Sequence, residues 1–123
     1  MTIVIQNTSD LPIYEQIAQQ IKQQILSGTL HEGDALPSIR ALAKELRISV
    51  ITTKRAYEEL ERDGFLYTVA GKGSFVAAQN LSLIKEEYLK RIEEHLQEVV
   101  DLSAICELSI DDIITMLHTL SEE

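Results

Sequence analysis

With 123 residues, 45% of them hydrophobic, the chain can close one domain around a modest core, or a small domain with an appendage, and has no room for a second catalytic domain. One cysteine, Cys106, excludes an intramolecular disulfide; residues 1–30 lack the basic start, apolar run and small-residue cleavage site of an export signal, and no apolar run approaches the roughly 20 residues that span a bilayer, so a soluble cytoplasmic protein with no membrane partner is expected. The net charge of -9 argues on its face against a nucleic-acid partner, since proteins that bind one usually carry a basic surface.

The first predicted element is a helix over residues 12–27. Proline at the first helical position, Pro12, loses nothing, because its missing N–H would be unpaired there, and Ile13, Ile17, Ile21 and Ile25 recur along one face until Gly28 stops it. The stretch "TLHEGDALP", residues 29–37, is a turn-rich connector with Gly33 and Asp34 at its middle, and Pro37 forces Leu36 out of the helical region. Ser38 is placed to cap a short helix to Leu46 that buries Ile39, Leu42, Ala43 and Leu46. Only "RIS", residues 47–49, separates it from the next helix, which Ser49 can cap, whose apolar positions Ala56, Tyr57 and Leu60 keep helical spacing, and which Gly64 ends.

Two helices separated by three residues must cross steeply. Such a corner is either an ordinary helical hairpin in a core or a helix-turn-helix, in which one helix lies across the phosphates and the other presents its N-terminal turn to the major groove. Charge favours the second: residues 36–57 hold Arg40, Lys44, Arg47, Lys54 and Arg55 against Glu45 alone, a local +4. The acidity lies elsewhere, since residues 1–79 carry 8 Lys+Arg and 9 Asp+Glu whereas residues 80–123 carry 3 and 11. Directly after the second helix of the corner, "FLYTVAGKGSFV", residues 65–76, has two short β-type stretches around a tip where Gly71 and Gly73 supply the positive φ angles of a tight hairpin. This reads as a wing, with Lys72 offered to a phosphate or the minor groove.

The tail begins near Asn80. Leu81, Ile84, Tyr88, Ile92, Leu96 and Val99 keep a helical stripe through a strongly charged segment, and "SIDD", residues 109–112, opens another helix with a capping-box pattern before Ile113, Ile114, Leu117 and Leu120. Two amphipathic helices cannot enclose a core of their own, so they are expected to pack on a second copy and make a homodimer. A crevice at the dimer seam is the one place left for an unidentified small-molecule effector. His31, His95 and His118 lack ligand spacing, Cys106 reads as a small hydrophobe, and Glu93, Glu94, Asp111 and Asp112 fall on solvated faces without an accompanying histidine or serine arrangement. No enzyme, catalytic residue, metal or cofactor is expected.

The segment "LPSIRALAKELRISVITTKRAYEELERDGFLYTVAGKGSFV" resembles the winged-helix DNA-binding domain of GntR-type bacterial transcriptional regulators, and "PIYEQIAQQIKQQILSGTLHEGDALPS" before it matches that family's first helix and connector. The resemblance covers about residues 11–77, and the short helical tail makes the chain similar to the small YtrA-like subfamily, whose members typically repress operons for membrane transporters. It implies a mainly α fold with a small β wing: a winged helix-turn-helix domain over residues 1–79 and a helical dimerisation segment over residues 80–123. The implied function is that of a homodimeric repressor on an inverted-repeat operator in double-stranded DNA, acting on an operon such as one encoding an ABC-type transporter. A winged helix used as a protein-interaction module, with the acidic tail as its surface, is the alternative.

Carried over position by position, the family's DNA contacts fall on Arg40, Ser49, Thr52, Lys54 and Gly71, and the local chemistry adds Arg55 and Lys72. The sequence departs from the pattern in one turn: Val50 and Ile51 stand where many relatives carry arginine and threonine, and Ile39 where glutamate is common. Val50 and Ile51 are left with two uses, contact with thymine methyls or burial against the first helices.

Overall fold

The computed structural model describes residues 1–122. The chain divides into two compact units, Met1–Gln79 and Asn80–Glu123. In the first, α1 (Ile13–Leu26), α2 (Ile39–Leu46) and α3 (Val50–Arg62) precede a hairpin of β1 (Leu66–Val69) and β2 (Gly73–Val76). The second contains α4 (Leu81–Ile105) and α5 (Ile110–Ser121). The fold is thus mainly helical with a two-stranded antiparallel wing.

Ile17, Ile21 and Ile25 of α1 are buried and form the floor of the core, on which Leu42 of α2, Ala56, Tyr57 and Leu60 of α3, and Phe65, Leu66 and Val76 of the wing close. Burying such side chains contributes roughly 1.5–3 kcal/mol each. Ile13 continues the isoleucine stripe but is exposed, because it stands one turn beyond the core's edge. Pro12 is the N-cap rather than the first helical residue, with φ -53° and ψ 148°.

The N-terminal residues are held by a ladder of glutamines. Gln16, Gln20 and Gln24 follow one another at four-residue spacing on α1, and their amides bond the extended backbone of Thr2, Val4 and Gln6. Gln20 both accepts the Val4 N–H (2.9 Å) and donates to its carbonyl (2.8 Å). Gln16 does the same for Gln6 and also donates to the Leu11 carbonyl, so its buried amide is fully paired.

Ser38 caps α2 by accepting the Ala41 N–H at 3.0 Å, and Ser49 caps α3 by accepting the Thr52 N–H at 3.1 Å. Between them Arg47 adopts the left-handed conformation, φ 58°, which lets Ile48 donate back to the Ala43 carbonyl (3.0 Å) and turn its side chain onto the core. That local reversal is how three residues suffice for the corner. Gly64, φ 81°, ends α3 in the same manner, with the Phe65 N–H on the Leu60 carbonyl at 2.8 Å.

The wing pairs Leu66 with Val76 through Val69 with Gly73, and its tip turns at Gly71, φ 77°. The connector does more than turn. Gly33 and Leu36 donate to the Val76 and Ser74 carbonyls, Val76 donates to that of Asp34, and Ala35 bridges Phe75, so residues 33–36 form a third edge of the wing. Pro37 follows, and its carbonyl accepts the Tyr57 hydroxyl at 2.8 Å, tying α3 to the connector. Burial pushes the Tyr57 pKa up to about 12. Tyr57→Phe should therefore destabilise the fold by about 1–2 kcal/mol, since it leaves a carbonyl unpaired. The ionisation cost of folded Tyr57 should make wild-type stability fall between about pH 10 and 12, and the variant should lose that part of the fall; chemical denaturation at several pH values measures both.

In the second unit, Asn80 caps α4 by accepting the Leu83 N–H (3.2 Å). Ser109 and Asp112 form a reciprocal capping box at α5, with bonds of 2.9 and 3.1 Å. Hydrogen bonding to the Ser109 backbone N–H, and then to its side chain, holds the Asp112 carboxyl below its usual pKa. Neither helix buries a residue. Cys106, expected as a small hydrophobe, is exposed at the C-cap of α4, where the chain leaves the helix. Among the described residues no helix is long and apolar enough to cross a membrane.

Candidate nucleic-acid interface

Helix α3 buries Thr53, Ala56, Tyr57 and Leu60 and turns the opposite face outward. Lys54 is on that outer face, 3.8 Å from Glu58 in an exposed pair that contributes little to folding. Ser49 accepts the Thr52 N–H and also donates to Thr52 Oγ1 at 2.8 Å, so the cap is doubly tied, and the Thr52 hydroxyl hydrogen is left for an acceptor outside. Thr53 is fully buried and donates to the Ser49 carbonyl. The N-terminal turn of α3 also carries the positive end of the helix dipole, which suits a phosphate oxygen.

Arg40 is exposed in the first turn of α2 and has no salt bridge among the described residues. A cation there opposes the helix dipole, so its position has no folding rationale. Arg55 is exposed as well, but its guanidinium lies 3.8 Å from the centre of the Tyr14 ring, stacked against α1. The Tyr14 hydroxyl donates to Glu15 Oε1 at 3.0 Å, a bond that, ahead of desolvation, raises the Tyr14 pKa while Arg55 lowers it. Lys54 and Arg40 thus have outward-facing charge with no fixed internal role, whereas Arg55 is oriented by an aromatic ring that charge counting alone did not reveal.

At the wing tip, Gly71 and Lys72 are both exposed, and the Lys72 N–H closes the turn on the Val69 carbonyl at 2.9 Å. Tyr67 and Phe75 stack across the strands with ring centres 5.5 Å apart, stiffening the hairpin that carries Lys72. The two apolar residues of the first α3 turn, Val50 and Ile51, are exposed rather than buried against the first helices, and Ile39 is half-buried at the rim of the core.

On α4 and α5 the anticipated stripe is present as surface: Leu81, Ile92, Leu96, Val99 and Leu117 are exposed, and Ile84, Tyr88 and Ile113 half-buried. Arg91 stands over the Tyr88 ring at 5.1 Å. Leu89 and Val100, also exposed, widen the stripe. Their three- and four-residue spacing to Ile92 and Leu96 was the signal that could have found them.

The family model described as bacterial regulatory proteins, gntR family, matches residues 13–76. The chain is 38% identical over 98 residues to the HTH-type transcriptional repressor YtrA of Bacillus subtilis (strain 168), covering 80% of this chain and 75% of that protein. It is similar across 99% of its length to the crystal structure of a transcriptional antiterminator from Listeria monocytogenes EGD-e, covering 91% of that chain, with 35% identity and a TM-score of 0.70. A crystal structure of AraR(DBD) in complex with operator ORX1 matches 63% of this chain and 96% of its own, with 29% identity and a TM-score of 0.56. The family and these relatives are regulators, not enzymes. A helix-turn-helix with a wing directly behind it, matched over its whole extent, settles the assignment: the chain belongs to the GntR family of DNA-binding bacterial regulatory proteins.

Proposed function

We propose that this protein is a homodimeric repressor that reads an inverted-repeat operator with α3, steadies it with Arg40 and the wing, and dimerises through residues 80–123. The observation that carries the reading is the pairing of an outward cationic face on α2 and α3 with helices α4 and α5 that bury no residue of their own. An apolar stripe left wholly to solvent is unfavourable, and a second copy of the same stripe covers it with twofold symmetry. Repression extends the likeness to YtrA, which is named a repressor, and a transporter operon as the target extends the resemblance of the sequence to the YtrA-like subfamily.

Genome-wide footprinting of DNA bound by the native protein tests this. A twofold dimer on one face of the duplex should protect inverted repeats whose halves lie about one helical turn, ~10 bp, or a multiple of it apart. Binding should survive competitor only at those sites and weaken steeply with salt. Protection without any shared repeat would reject operator recognition and leave the protein-interaction reading.

The wing supplies a smaller effect. Lys72→Ala should weaken binding to all duplexes alike and lower the log–log salt slope by about one unit at most, because one fewer counterion is displaced. Its exposed side chain has no folding role, so melting should be unchanged. A salt slope equal to that of the wild type would mean that the tip faces solvent in the complex.

A further inference from the structure

Two apolar residues at the start of α3 have no use in the fold. Ile51 is 80% exposed and Val50 47%, and neither belongs to the core nor to the half-buried residues packed on it. Among the described residues of the first unit, Ile51 is the most exposed large hydrophobic side chain. Helix propensity does not account for the pair, since β-branched residues are poorer helix formers than alanine or leucine at an exposed position. The polar side chains of the same turn are largely tied to one another, Ser49 with both Thr52 groups and the Thr53 hydroxyl with the Ser49 carbonyl, which leaves the Thr52 hydroxyl hydrogen as their outward donor. The turn therefore offers its surroundings mainly methyl groups.

We infer that Val50 and Ile51 read thymine 5-methyl groups in the major groove of the operator, within one or two base pairs of the Lys54 contact. The inference rests on α3 being the recognition helix, as proposed above. The thymine methyl is the apolar group that the standard base pairs display in the major groove; the other positions present hydrogen-bond donors and acceptors. Covering those with valine or isoleucine would desolvate them without a partner, which penalises other bases. A β-branched side chain has few rotamers to lose on contact, so a small buried area converts efficiently to affinity. Lys54 follows Ile51 by three residues and Val50 by four, placing all three on one helical face. One helical turn rises about 5.4 Å and one base pair about 3.4 Å, which sets the spacing between the thymine and the Lys54 contact.

The test begins with the full chain and a pool of random-sequence duplexes, from which bound sequences are enriched. Each thymine of the enriched half-site is then replaced singly by deoxyuracil, which keeps the base pair and removes only the methyl. Wild type, Val50→Ala and Ile51→Ala are titrated against every duplex. Wild type should lose about three- to fivefold in affinity at one or two positions, the effect of one buried methyl. Ile51→Ala or Val50→Ala should be weaker on the thymine duplex and show little or no further loss on the uracil duplex. Both variants should melt no lower than wild type, since exposed alanine favours the helix. Uracil that is silent at every position, while Lys54→Ala still weakens binding, would overturn the methyl contact alone. Uracil sensitivity that survives in both variants would assign the methyl contact to other residues and overturn the inference too. A pool from which nothing is enriched would overturn the recognition helix itself.

Discussion

A chain ending at Gln79 is expected to remain folded and to bind a two-half-site operator about 100- to 10,000-fold more weakly than the full chain, the factor by which linkage raises the effective concentration of a second contact. Folding should survive because every residue of the core cluster lies in the first unit; α4 and α5 contribute none. Dimerisation should not survive, because the exposed stripe is removed with residues 80–123. A full-length control separates loss of the tail from loss of its apolar face: Ile92→Glu with Leu96→Glu places like charges where the proposal puts two copies in contact. Sedimentation of all three chains, with and without a single half-site duplex, reads the outcome. On the half-site duplex the three should bind with similar affinity. A shortened chain that still sediments as a dimer would refute this division of labour.

How much of this was legible beforehand depended on the range of the interaction. The caps at Ser38, Ser49 and Ser109 involve partners three residues away, and each found the expected backbone N–H. The wing was equally readable, since the turn at Gly71 and Gly73 needs positive φ and glycine accepts it without strain. Arg47 was not. An arginine in the left-handed region looks in sequence like any helical residue, although here it makes the corner possible.

Long-range pairings left weaker traces. The connector's union with β2 runs through backbone atoms of residues 33–36, which carry no strand pattern in "GDAL". The glutamines of α1 resemble a solvated face, yet a primary amide offers the same donor and acceptor as a peptide group. Four helical residues rise about 6 Å, close to the roughly 6.6 Å of two extended residues, so the Gln16, Gln20 and Gln24 ladder can match alternate groups of Thr2, Val4 and Gln6. For the site, charge counting grouped Arg55 with Lys54. The Tyr14 ring that orients Arg55 stands 41 positions earlier in the chain and could not be assigned to it from spacing.

Arg40 and Lys54 should show the opposition between stability and binding most clearly. If each reaches a base edge, alanine at either position should weaken specific binding by about 1–3 kcal/mol, roughly 5- to 150-fold, and relax preference at one base pair. If the contact is to phosphate alone, all sequences should weaken alike. Neither change should harm the fold. Lys54 gives up only an exposed pair with Glu58. Arg40 occupies the first turn of α2, where a cation faces the positive end of the helix dipole, so Arg40→Glu should raise stability by a few tenths of a kcal/mol while binding falls further than with alanine. Melting curves and titrations against operator and random duplexes measure the two effects on the same samples. Unchanged affinity for both duplexes in Arg40→Ala and Lys54→Ala would remove α2 and α3 from the interface, and a drop in melting temperature matching the loss of binding would make Arg40 a residue of the fold.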